Sequence, residues 1–398
     1  MNNKKKIKVL FLSKWYPNKF DEQLGIFVQK HAEAAALYAD IVVLYVVGDP
    51  NLATKTPILV KTKNEKFIAY TYYYKQHIAA FSPLQKLINI NRYWKTSRQA
   101  LQQIFEEHEK PDLVHTHVLN RPAAVAYYIK KRYNISYCIT EHWSGYINGK
   151  YAQKNALMKA LTRFFVAQSS AFTAVSVALQ NAIEKNGLKR PNYLIPNVVE
   201  FVEFQEKNDK ASSKNATIRF LSIGDLFDKV KNISDIIRVV AKIAVSQRFE
   251  PFEYHIIGGG EDEESLKYLA KQLGVLNKSI FFHGRKTNDF VLAFLPTINF
   301  LIVNSNYETF SVVTAEALAC GKPVIATRCG GPEIFITKEN GLLISPKKPQ
   351  ELEDAICYMI ENYKKYDAVA LAKNIRQTYS KQKIGKDLLE MYESVLKT

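Results

Sequence analysis

Two carboxylates, two lysines and three histidines have types and spacings suited to group-transfer chemistry. Glu308 and Glu316 lie eight positions apart in the segment Asn306-Tyr-Glu-Thr-Phe-Ser-Val-Val-Thr-Ala-Glu-Ala-Leu-Ala-Cys-Gly-Lys-Pro-Val-Ile-Ala-Thr327. On one continuous helix they would be about 12 Å apart along the axis and about 80° apart around it, too separated for an acid–base dyad. If Glu308 instead sits in a loop ahead of a helix running from Ser311 to Cys320, both can face one elongated ligand at different points. The backbone N–H groups of Thr309–Val312 would then form a positive helix end suited to a diphosphate. Lys229 and Lys231 follow an apolar run at Ile218–Ile223 and supply cations. His115 and His117 sit at a strand end and are read as pointing to opposite faces, so no metal site is expected; His142 ends the next strand.

The elements that must hold these groups alternate. Apolar β-branched runs at Lys8–Ser13, Ile41–Val47, Asp112–His117, Ile135–Thr140, Ala171–Ser176 and Tyr193–Ile195 are interleaved with helical patterns such as Phe27–Ala39 and Ala123–Tyr133. After a polar stretch between Phe201 and Thr217, the alternation restarts at Ile218–Ile223, Glu253–Ile257, Ile280–Phe282, Phe300–Val303 and Val324–Ala326. This predicts two βαβ-built parallel sheets and a ligand cleft between two Rossmann-like α/β domains. The expected bounds are 1–200 for the first domain and 201–380 for the second. Residues 381–398 form a closing helix, with a packing site on the first domain as one option.

Other chemistries are disfavoured by pattern. Gly258-Gly-Gly-Glu lacks the spacing of a dinucleotide fingerprint, because position 263 is Glu, and no phosphate-cradling G-x-x-x-x-G-K-[ST] loop is present. The four cysteines (Cys138, Cys320, Cys329, Cys357) have no C-x-x-C spacing, which argues against zinc and a disulfide framework. No apolar run reaches the roughly 20 residues of a membrane span. The basic start is followed only by the short apolar run Val9–Leu12, which argues against a secretory signal.

The string E-T-F-S-x-x-x-x-E-A-x-A-x-G-x-P-V-I-A from Glu308 to Ala326 resembles the sugar-nucleotide segment of glycosyltransferase family 4, the retaining group 1 enzymes of GT-B fold. The resemblance continues in order through Leu194–Glu200, Ile256–Leu266, Ser279–Arg285, Gly330–Glu333 and Asn340–Leu343. It implies a nucleotide-sugar donor, most simply UDP-linked, and no metal or other cofactor. On this resemblance Glu308 binds sugar hydroxyls and Glu316 the ribose. Lys231 joins Gly25, Gly258, Arg285, Thr309, Phe310 and Ser311 on the donor side. His142, in Thr140-Glu-His142, is expected beside the reacting sugar, while Trp15, Tyr16 and His117 are acceptor-side candidates. The family usually carries an arginine where this chain has Asp225, which has the wrong charge for a phosphate contact.

Charge bears on the acceptor. The formal net charge is +17, and residues 1–200 hold 28 Lys and Arg against 13 Asp and Glu, whereas residues 201–398 hold 27 against 25. The resemblance implies that the first half binds a glycan or lipid-linked acceptor. Its basic segments, interleaved with Tyr70–Tyr74 and Phe81–Trp94, suit an anionic membrane face or an anionic acceptor. A cytoplasmic protein, peripheral on the inner membrane face and without nucleic-acid partners, is the resulting expectation. Two alternatives stay open: a GT-B epimerase or phosphorylase, and a non-enzymatic polyanion-binding protein.

Overall fold

Short β-branched runs separated by amphipathic helices build two α/β units, one of residues 1–198 with 381–398 and the other of residues 199–380. The computed structural model describes residues 6–64, 66–78, 83–189, 191–202 and 217–397. Most of the polar stretch read as a linker, and Lys4 and Lys5, lie outside the described residues.

The first unit contains β1 (Lys8–Ser13), β2 (Asp40–Asp49), β3 (Ile58–Lys63), β4 (Phe67–Lys75), β5 (Leu113–His117), β6 (Tyr137–Glu141), β7 (Ala171–Ala174) and β8 (Tyr193–Leu194). They form one sheet in the order β3-β4-β2-β1-β5-β6-β7-β8. Its neighbouring strands are parallel except β3 with β4. The chain leaves β1 to one side for β2 and returns on the other side for β5, so the crevice at the C-terminal ends of β1 and β5 is a topological switch point. The helix Lys381–Lys397 belongs to this unit. It buries Ile384, Leu388, Met391, Tyr392 and Val395 in one core with Val28, Ala32 and Ala35 of the helix Ile26–Ala35. The close approach needs Gly385, where a Cβ would lie 2.3 Å from the Ala34 carbonyl oxygen.

The second unit contains β9 (Ile218–Ile223), β10 (Phe252–Ile257), β11 (Ile280–Phe282), β12 (Phe300–Val303), β13 (Val324–Thr327) and β14 (Gly341–Ile344). All are parallel, in the order β11-β10-β9-β12-β13-β14, with a switch point between β9 and β12. Phe220, Tyr254 and Phe300 stack across the three central strands, with ring centroids 4.8 to 5.3 Å apart. Tyr70–Tyr74, read from sequence as surface aromatics, prove to be interior. They form most of β4, are at most 6 % exposed, and sit between β2 and β3.

Candidate active site

At the switch point of the second unit, the chain leaves β9 through Gly224 and re-enters through the short helix Asp228–Lys231. Gly224 keeps open the space taken by the Lys231 side chain, since a Cβ there would lie 3.1 Å from its Cε. Gly258, just after β10, has a φ of 155° and no room for a Cβ, which would lie 1.8 Å from the Gly224 carbonyl oxygen. Two glycine turns therefore press together under the site.

The loop after β12 carries Glu308. Its N–H donates to the Cys329 carbonyl (2.9 Å) and its carbonyl accepts from Gly331 (3.0 Å), which pins the loop to the turn after β13. Lys231 Nζ donates to Glu308 Oε1 at 2.5 Å, and Ser305 Oγ donates to the same oxygen at 2.8 Å. Burial disfavours the ammonium charge, but the adjacent Glu308 carboxylate more than offsets it, and the pKa of Lys231 is raised. Ser311, in the left-handed region (φ 67°, ψ 68°), opens the helix Val312–Ala319 without capping it, and no acidic residue occupies the first turn. The loop form expected for Glu308 is thus what the chain adopts, and Glu316 lies buried within the helix.

Arg285 Nη2 donates to Asp225 Oδ1 at 3.0 Å. The carboxylate at the position where the family carries arginine is met by a guanidinium from the β11 loop, so a cation does stand at this rim. Thr309, next to Glu308 in sequence, is half-buried. Phe310 requires a correction. Its ring is 1 % exposed and packs on Phe335 (4.9 Å) and Tyr379 (5.6 Å), which leaves only its backbone for a ligand.

In the first unit, Gly25 starts the helix Ile26–Ala35 with φ 68°. What it accommodates is the chain itself, because a Cβ would lie 2.4 Å from the Trp15 carbonyl carbon. Tyr16 is likewise interior, at 5 % exposure against Tyr45, so its side chain is not an acceptor contact; Trp15 remains half-buried at the rim.

The histidines overturn the expected divergence. His115 and His117 are two residues apart on β5, and strand residues two apart share a face. Their ring centroids are 4.1 Å apart. His115 is consumed by structure, bonding Tyr392 Oη (2.8 Å) and Thr140 Oγ1 (2.7 Å). His117 Nδ1 and His142 Nε2 are 3.2 Å apart, and His31 Nε2 meets the Pro196 carbonyl at 2.9 Å. This leaves His31 Nδ1, His117 Nε2 and His142 Nδ1 buried without a hydrogen-bond partner. One nitrogen from each of His31, His117 and His142 falls within 4.8 Å of the others, a grouping able to hold a metal ion. Burial lowers the pKa of all three, to about 4 for His31, so they are neutral at pH 7.

Residues 203–378 match the family model described as glycosyl transferases group 1, and residues 56–201 match that described as glycosyltransferase family 4. The chain belongs to the group 1 glycosyltransferases. The N-acetyl-alpha-D-glucosaminyl L-malate synthase of Bacillus anthracis is 26% identical over 302 residues, covering 73% of this chain and 75% of that protein. The putative teichuronic acid biosynthesis glycosyltransferase TuaC of Bacillus subtilis is 24% identical over 98% of this chain and 100% of its own length. Among solved structures, Anabaena HepE in complex with UDP superposes with a TM-score of 0.68 at 16% identity, covering 98% of this chain and 100% of that one. The fold is GT-B, built from two Rossmann-like units.

For this glycosyltransferase, sequence reasoning missed two features that only the fold brings together. His31 sits within a helix and carries no spacing signal. The Asp225–Arg285 pair joins residues 60 positions apart. Reading β5 with its proper two-residue period would have placed His115 and His117 together.

Proposed function

We propose that this glycosyltransferase moves a sugar from a uridine diphosphate donor to a glycan or lipid-linked acceptor in cell-surface polysaccharide synthesis, with retention of configuration and no metal ion. The observation that carries the donor assignment is the Lys231–Glu308 pair at the β9/β12 switch point, beside an uncapped helix start. Lys231 and the N–H groups opening the helix Val312–Ala319 stabilise the departing diphosphate. Glu308 holds sugar hydroxyls, Glu316 the ribose, and Arg285 with Thr309 and Ser311 line the same end. On the family resemblance, His142, neutral at pH 7, is the histidine that hydrogen-bonds the donor sugar. The bond from the sugar's anomeric carbon to the phosphate oxygen breaks, and a bond to the acceptor oxygen forms. The acceptor proton passes to the departing phosphate, so no separate base is required. Support for UDP comes from the HepE complex, and support for polysaccharide synthesis from the name of the B. subtilis relative.

Mass spectrometry on the purified chain with UDP-sugars and candidate acceptors tests this reading. Transfer adds one sugar residue to the acceptor. Conversion of the donor sugar to its epimer at unchanged mass would instead identify an epimerase, and consumption of free phosphate a phosphorylase.

A peripheral contact with an anionic membrane is supported by two helix faces. Among the described residues no helix is long and apolar enough to cross a membrane. The helix Ala156–Gln168 exposes Leu157, Met158, Leu161 and Phe164 at helical spacing, and the helix Pro83–His108 exposes Leu84, Leu87 and Ile90. Residues 142–183 contain Lys150, Lys154, Lys159 and Arg163 and no acidic residue. Apolar contact flanked by cations is the pattern of interfacial docking. Co-sedimentation with anionic but not zwitterionic vesicles, reversed by salt and by Leu161→Glu, is the expected result.

A further inference from the structure

We propose that Lys14 and Lys154, which share the Trp143 indole at the β1/β5 switch point of the first unit, together with Arg121 close to Lys14, bind a phosphate or carboxylate group carried by the acceptor. This rests on the transfer reaction proposed above and narrows its acceptor to an anionic class.

Three loops at the C-terminal edge of the first sheet bring the cations together. Lys14 follows β1, and its N–H donates to the His117 carbonyl at the end of β5 (3.3 Å). Arg121 opens the helix Arg121–Tyr133 that follows β5. Trp143 follows β6, and the turn after Ser144–Tyr146 carries Lys154 back over it. Lys154 Nζ lies 4.4 Å from the Trp143 ring centroid and Lys14 Nζ lies 5.8 Å from it, so both ammonium groups share one indole. The indole is held in place: a Cβ at Gly145 would lie 2.1 Å from Trp143 Cζ2, so the ring occupies space that only glycine leaves.

Among the described residues, no carboxylate lies within ion-pair distance of these three cations. Among the same residues, the partly buried lysines Lys8, Lys231, Lys267 and Lys381 are ion-paired, and Lys75, Lys130 and Lys159 donate to the backbone carbonyls of Ala53, Gln168 and Ala152. Lys14 and Lys154 are also partly buried, and among the described residues their ammonium groups contact aromatic rings. Arg121 donates to the Tyr74 hydroxyl at 3.3 Å and stacks near Tyr93. The acidic group close to them is Glu141, and it is turned inward. Its carboxylate accepts from the N–H groups of Leu119 (3.3 Å), His142 (2.9 Å) and Trp143 (3.0 Å), and from the Tyr146 hydroxyl (3.3 Å). Lys14 and Lys154 thus share one sequestered carboxyl, and Arg121 adds a further positive charge near Lys14.

The electrostatics agree. Burial lowers the pKa of Lys14; Glu141 pulls the other way, and Lys154 and Arg121 push it down again. A partly desolvated cluster of like charge is costly in the free protein, and an arriving anion reverses that cost. Cation–π contacts orient the ammonium groups without neutralising them. Ligands of open α/β sheets bind at the switch point, which is where this cluster stands.

The test measures binding to the full chain by tryptophan fluorescence, with UDP at saturation to fill the donor site and Lys231→Met as a second control for it. The probes are inorganic phosphate, glucuronate and neutral glucose. The expected result is that at least one anion binds tenfold or more tightly than glucose. Lys14→Met and Lys154→Met should each weaken that binding at least tenfold, while Lys14→Arg restores it and UDP affinity stays unchanged. Preference for phosphate assigns a phosphorylated acceptor, and preference for glucuronate an acidic sugar. Anions binding no better than glucose, or binding indifferent to these variants, overturns the proposal. Failure of the wild-type chain to bind UDP would refute the donor assignment instead, and the anion result with Lys231→Met would be read independently of it.

Discussion

Removing the charge of Lys231 while keeping its length, as in Lys231→Met, separates two roles of one ammonium group. In the resting protein it neutralises Glu308 at 2.5 Å, and in the proposed complex it also meets the donor diphosphate. The side chains are 22% and 16% exposed, so the pair is neither fully buried nor freely solvated. Leaving Glu308 unpaired should cost about 1–3 kcal/mol, below the 3–5 kcal/mol of fully buried pairs. Losing one charge-assisted hydrogen bond to the phosphate should cost about 1.5–3 kcal/mol, which is roughly 10- to 150-fold in UDP affinity. Glu308→Gln should behave differently. It removes the group that competes for Lys231 and leaves UDP affinity unchanged or improved, yet lowers transfer by about 100-fold or more, as for loss of a group stabilising the transition state. In the double variant stability should recover relative to the sum of the single changes, while UDP affinity should not. Titration calorimetry with UDP and urea unfolding of the four proteins read both quantities. If Glu308→Gln loses as much UDP affinity as Lys231→Met, or if Lys231→Met loses none, the diphosphate does not sit on this lysine.

Other outcomes follow from the same structure. Gly258→Ala should destabilise the second unit by more than about 3 kcal/mol, because its Cβ would collide with the Gly224 carbonyl. Gly274→Ala, with positive φ but no atom within 4 Å, should cost only about 1 kcal/mol, both variants being read by urea unfolding. His31 has a folded pKa of about 4 against 6.5 unfolded, so the unfolded chain binds the extra proton between those values. The share of stability due to His31 should therefore be full above pH 6.5 and fall by up to about 1.4 kcal/mol per pH unit as pH drops toward 4, with the other buried histidines adding to the slope. His31→Gln should reduce the measured slope by that share in urea titrations. A chelator should leave transfer unchanged, and metal analysis of the dialysed protein should find no stoichiometric ion at His31, His117 and His142; a bound ion whose removal stops transfer would refute the metal-free mechanism.

How far the sequence revealed this molecule differed by element. Ile218–Ile223, Ile280–Phe282 and Phe300–Val303 were legible to the residue, because fully buried parallel strands are short apolar runs bounded by polar turns. The antiparallel pair β3 and β4 was not. Four tyrosines among five residues show no two-residue alternation, and β4 is covered on both faces, so no polar face marked the period. At the site, Glu308 in its loop and Glu316 in its helix could be inferred from the Ser311 boundary. The histidine trio could not, since His31 reaches His117 and His142 only after helix Ile26–Ala35 docks on the sheet. Phe310 and Tyr16 show the opposite failure: a side chain inside a functional motif can serve the core, and spacing does not distinguish the two.

The first unit is not continuous in the chain. Its last helix, Lys381–Lys397, is made only after every residue of the second unit. A nascent chain can therefore finish the second unit while the first still exposes the groove that Leu388 and Met391 will fill, and lacks the Tyr392 hydroxyl that holds His115. The half synthesised first is the half completed last. A fragment ending at Val198 should then be a poor stand-in for that half, and chimeras between relatives should carry residues 381–397 with the first unit's parent, whatever the source of the residues between.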